Sequence, residues 1–138
     1  MTEDDIALFN DSLERCTADP RFLPRFYDIF MASSEEVRQK FEKTDFKRQH
    51  RMLKASLFLL VVAAEGRPEG KAHLDEMAVR HGPGQLGIRP EMYDLWYGAL
   101  LRAVREIDAS FSPKTEQAWD RVLHLGIDYL KERAAATP

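Results

Sequence analysis

Apolar residues recur along most of the chain at i, i+3, i+4 and i+7 and seldom alternate, the signature of helices with one buried face. The pattern predicts seven helices. The first covers about residues 4–17, with Ile6, Phe9 and Leu13 inward and Thr2 or Asp4 as its cap. The second begins near Pro20, carries the stripe Leu23, Phe26, Tyr27, Phe30 and Met31, and tolerates Pro24 in its first turns. Ser33 and Ser34 can cap a short third helix ending near Phe41, with Glu35 and Glu36 at its positive end. Thr44 or Asp45 opens a long fourth helix reaching residue 65, and a fifth runs over about residues 70–81. The sixth presents Met92, Leu95, Trp96, Ala99, Leu100, Ala103 and Ile107. The seventh presents Trp119, Val122, Leu123, Gly126, Ile127 and Leu130.

Asp19-Pro20, Gly66-Arg67-Pro68-Glu69-Gly70, Gly82-Pro83-Gly84 and Ser112-Pro113 punctuate these segments. β-branched residues are few and no strand is expected. The chain is therefore read as all-α. The two long C-terminal helices form an antiparallel hairpin about Phe111-Ser112-Pro113. A four-helix bundle fits less well, because the helices differ widely in length and a short one sits in mid-chain. Trp96 and Trp119 are candidates either for the core or for a homodimer interface.

Composition narrows the function classes. The 138 residues suit one domain, 1–138, with a core that forms without staples. Twenty Lys and Arg against 23 Asp and Glu give a net charge of −3, so no overall positive field draws the protein to nucleic acid or an anionic membrane. The N-terminus, Met1-Thr2-Glu3-Asp4-Asp5, is acidic where a secretory signal is basic and then apolar. The longest apolar run, residues 55–64, is too short to span a bilayer. With Cys16 as the one cysteine, these features point to the cytoplasm.

The most informative segment is Leu74-Asp75-Glu76-Met77-Ala78-Val79-Arg80-His81, which places His81 on the apolar face with Leu74, Met77 and Ala78. Such an imidazole needs a partner, either a metal or a backbone carbonyl. Tyr27 lies inside an apolar stripe, and a buried phenol also needs a partner. Gln49 opens the face continued by Leu53, Leu57 and Leu60, either partly exposed or facing a cavity. Phe41 sits between the third and fourth helices. His50 would turn inward if the fourth helix were rotated by one residue. His73 lies off the apolar face and reads as solvated, and His124 reads as structural. No Cys pair or His/carboxylate spacing suits zinc, and no C-x-x-C-H segment is present. The run Lys47-Arg48-x-x-Arg51-x-x-Lys54 reads as a solvated face or as a source, with Arg80, of a partner for a cofactor carboxylate.

Taken together, Phe26-Tyr27-Asp28 with Phe41, Gln49 with Leu53, Leu74-x-x-Met77-Ala78-x-x-His81, and Gly87-Ile88-Arg89-Pro90-Glu91-x-Tyr93 resemble the bacterial single-domain globins and the haem domain of flavohaemoglobins. The resemblance covers nearly the whole chain. It implies the globin fold, helices crossing steeply around a buried haem b (iron protoporphyrin IX). By the same resemblance His81 is the proximal iron ligand, while Tyr27 and Gln49 form a distal pair donating to bound dioxygen. Leu53 roofs the pocket, Phe41 packs on the porphyrin, and Met77, Ile88 and Tyr93 line it, with Tyr93 bracing His81. The glutamate that flavohaemoglobins carry on the last helix is missing. Ala134 falls about there, and Glu132 is off register.

The implied function is reversible binding of dioxygen, and of nitric oxide or carbon monoxide. The alternatives are nitric oxide dioxygenase, which needs an external reductase, a gas sensor, and a haem-free interaction domain.

Overall fold

The structure, a computed structural model, describes residues 1–82 and 84–136. The expected helix break at Pro83 lies outside the described residues. Among the described residues seven helices follow in order: α1 (Glu3–Ala18), α2 (Phe22–Ser33), α3 (Glu35–Lys40), α4 (Phe46–Ala64), α5 (Pro68–His81), α6 (Pro90–Ile107) and α7 (Pro113–Ala136). No strand occurs among the described residues.

Side-chain caps set several of the starts. Thr2 and Asp5 form a reciprocal capping box on α1. Ser34 accepts from the Val37 N–H at the start of α3, and Asp45 accepts from the Lys47 and Arg48 N–H groups at the start of α4. Two starts differ from expectation. Helix α2 begins two residues after Pro20, because the Asp19 carboxylate and carbonyl first take the Arg21 and Phe22 N–H groups into a turn. That leaves Pro24 as the proline inside the first turn. Helix α5 begins earlier than residue 70, with Pro68 at a position where its missing N–H has no role.

Two layers of packing build the core. Helix α7 packs chiefly on α1, where Phe9 meets the edge of Trp119 at 4.6 Å between ring centres. Helix α6 packs chiefly on α2, where Phe26 meets Trp96. The predicted turn joins α6 to α7, yet each of these helices packs more extensively on an N-terminal helix than on the other. Trp119 is fully buried and belongs to the core. Helices α4 and α5 cross closely at Gly70. A Cβ there would lie 2.2 Å from the Ala63 backbone nitrogen, so only glycine permits the approach. At the end of α4 the chain turns through Gly66 in the left-handed region (φ 77°). This crossing lets the two helices diverge toward the other end of α5 and leaves room between them.

Candidate functional site

The room between α4 and α5 is a cavity of about 320 Å³, closed by α2, α3, α6 and α7. It brings together all eight residues singled out in the sequence: Tyr27, Phe41, Gln49, Leu53, Met77, His81, Ile88 and Tyr93. Most of the remaining wall is apolar, with Leu60, Leu74, Met92, Leu123, Ile127 and Leu130 among its residues. Gly126 keeps α7 close to it, since a Cβ there would sit 2.9 Å from a Leu60 methyl.

On the α5–α6 side, His81 ends α5 and its Nδ1 lies 3.0 Å from the Tyr93 hydroxyl on α6. Its Nε2 has no hydrogen-bond partner among the described residues. Burial, with a smaller contribution from the nearby Arg80 cation, pushes the imidazole below its usual range and favours the neutral form. With Nδ1–H donating to Tyr93, the Nε2 lone pair is free. Burial in turn pushes the Tyr93 phenol up to about 12.

On the α2–α4 side, Tyr27 is buried among rings. Phe41 and Phe46 meet it edge-on at 5.5 Å, and His50 stacks on it at 5.3 Å. Burial pushes the Tyr27 phenol up to about 12, and the neighbouring Gln49 amide acts the other way. At pH 7 the phenol is therefore a proton donor. Gln49 faces the cavity while His50 does not line it. The rotation of α4 that would bring His50 inward is absent, because His50 is occupied against Tyr27 and Phe46.

Other expectations are corrected here. His73, expected to be solvated, instead lines the cavity with Nε2 2.8 Å from Ser56 Oγ. The Ser56 hydroxyl also lies 3.3 Å from Met77 Sδ. With His73 Nε2–H donating to Ser56, the Ser56 hydroxyl is free to donate to Met77. The sequence concealed it because a residue off one helix's apolar stripe can still meet a neighbour where two helices cross closely. Of the basic residues, Arg80 lines the cavity and pairs with Glu76, whereas Lys47, Arg48, Arg51 and Lys54 stand outside it. Sequence reasoning did not single out Lys40, which lines the cavity and donates to the Leu86 carbonyl at 2.8 Å, tying α3 to the loop before α6. Glu36 and Arg89 add a second tie nearby. His124 sits at the surface beside Tyr97 and Asp120.

The donor set suits a flat apolar ring with one central metal. It offers the unpartnered Nε2 of the buried His81 imidazole, two neutral hydrogen-bond donors on another wall, and aromatic and aliphatic surface between. Among the described residues no cluster of three His, Cys, Asp or Glu could hold a bare metal ion. No helix among them is long and apolar enough to cross a membrane.

Comparison with known proteins agrees in kind. The family model described as Globin matches residues 24–130. A crystal structure from Pseudomonas aeruginosa PAO1, of a protein described as structurally highly homologous to a human hemoglobin, is similar with a TM-score of 0.89 and 38% identity. That match covers 94% of this chain and 98% of the other. No curated protein sequence matches the chain.

Proposed function

The chain belongs to the globin family, as a bacterial single-domain globin, and from that premise we propose that residues 1–138 form one domain that holds haem b in the cavity and binds dioxygen reversibly. Haem, when bound, supplies an iron with one coordination position for a protein nitrogen and one for a diatomic gas such as dioxygen, nitric oxide or carbon monoxide. His81 offers the protein nitrogen. The observation that carries the reading is the His81–Tyr93 pair, which fixes the imidazole by Nδ1 and leaves Nε2 to the cavity. Tyr93 thereby holds the ring orientation and the tautomer.

Tyr27 and Gln49 supply the donors that would hold a polarised gas ligand. A phenol kept protonated by burial donates without ionising, and in a water-poor cavity each such bond is stronger than in solvent. Phe41, Leu53, Met77 and Ile88 give the ring an apolar bed that excludes water. Lys40 and Arg80 line the cavity and would supply positive charge to the porphyrin's carboxylates.

The test is an absorption spectrum of the purified or hemin-reconstituted protein in ferric, ferrous and carbon monoxide forms. The reading predicts a strong Soret band, a ferrous form open on one side, and a stable dioxygen adduct. A colourless protein that refuses hemin would exclude it.

A further inference from the structure

Among the described residues, thirteen of the twenty lysines and arginines form an ion pair with a carboxylate. Of the seven that do not, six fall between residues 40 and 54: Lys40, Lys43, Lys47, Arg48, Arg51 and Lys54. All six are exposed. Against them the segment holds two carboxylates, Glu42 and Asp45, and Asp45 is engaged in capping α4. The segment therefore carries +4 in a chain of net −3, so the remainder carries −7. Elsewhere among the described residues the fold pairs nearly every cation with a carboxylate; here it pairs none, and only Lys40 is otherwise engaged, donating to the Leu86 carbonyl.

The location is as telling as the charge. Lys40, Thr44, Gln49 and Met52, from the same stretch, line the cavity, and Met52 is 40% exposed, so the basic surface adjoins an edge of the cavity that reaches solvent. Lys47, Arg51 and Lys54 recur at helical spacing on α4 and do not line the cavity, so they are not placed to neutralise a group inside it. Their field acts outward, on a second molecule.

We propose that this α3–α4 face docks an acidic one-electron donor protein, carrying a reduced flavin or iron–sulfur group, beside the cavity. The inference rests on the haem reading above. One electron leaves the donor's reduced group and converts the ferric centre to ferrous; no covalent bond is made or broken. Nucleic acid fits less well, since two carboxylates interrupt the segment and no aromatic residue is exposed among residues 40–54 for base stacking.

The test uses the hemin-loaded protein with a reduced flavodoxin as the acidic probe, following reduction at the Soret band and binding by titration calorimetry. Reduction should slow about ten-fold from low to high salt, as steered association does. The triple variant Lys47→Glu, Arg51→Glu, Lys54→Glu should slow it by at least about ten-fold at low salt, with the spectrum and dioxygen affinity unchanged. The neutral set Lys47→Gln, Arg51→Gln, Lys54→Gln should fall between. Reduction indifferent to salt or to charge reversal in a protein with normal spectra overturns this inference alone. Tighter binding to a DNA duplex than to flavodoxin also overturns it. A protein that takes no hemin removes the electron-transfer role together with the haem reading, whatever flavodoxin binding remains.

Discussion

Two buried polar regions in this molecule are built on opposite plans. Where α1 meets the turn between α6 and α7, the Trp119 indole N–H donates to Ser12 Oγ at 2.8 Å, and Ser12 donates to Asp108 at 2.6 Å. Arg15 Nε and the Ser110 N–H complete the Asp108 carboxylate at 2.7 and 2.9 Å. Every group there spends its hydrogen bonds on another protein group, and the side chain of Asp108 is fully buried. In the cavity, by contrast, His81 keeps one ring nitrogen unengaged, while Tyr27 and Gln49 lie against each other on the cavity wall. The first arrangement stabilises the fold; the second keeps polar capacity available for something the chain does not contain. The comparison teaches that a buried polar residue signals function when its partners run out, and burial alone does not distinguish the two cases.

The contrast can be broken by substitution. Asp108→Ala should have the largest effect on stability, about 3 kcal/mol in urea unfolding, because it strands the Ser12 and Arg15 donors. The haem spectrum should not change. The same region should dominate the acid limb. Burial opposes ionisation of Asp108, but Arg15, Ser12 and the Ser110 N–H outweigh it and hold the carboxyl below its usual value. Its stabilisation is then fully present above the ordinary carboxyl pKa of about 4 and is lost as pH falls through the lower folded value. An Asp108→Asn variant should accordingly show a flatter loss of stability on acidification.

In the cavity the stability effects should be small and the ligand effects large. Tyr27→Phe should speed dioxygen release about ten-fold, equivalent to about 1.4 kcal/mol for one lost donor, as read by stopped-flow displacement. An unchanged rate would mean that the phenol does not reach the ligand. Tyr93→Phe should act less, by about 1 kcal/mol or under, seen as hemin release a few-fold faster once His81 loses its brace.

Much of this was legible in the sequence, and the misses have physical causes. Caps at Thr2, Ser34 and Asp45, apolar stripes and Gly/Pro punctuation are local signals, and they carried the helix order and the all-α class, while the globin fold came from the resemblance. The eight cavity residues were legible because resemblance supplied relations between helices that periodicity cannot. Hidden from the sequence were features made by helix crossings. The Gly70–Ala63 approach draws His73 onto Ser56, and nothing along α5 alone reveals that neighbour. Asp108 looks like an ordinary C-terminal cap until Ser12 and Arg15, more than ninety residues earlier, are folded against it. The unmatched cations of residues 40–54 likewise stand out only when the others are found paired.

The central claim is that His81 supplies the iron's protein ligand. Hemin titrated into wild-type protein and into His81→Ala, with and without added imidazole, tests it most directly. The account predicts a six- or five-coordinate histidine spectrum for the wild type, its loss in the variant, and its return when free imidazole fills the vacated position. An identical spectrum and hemin affinity in His81→Ala would contradict it.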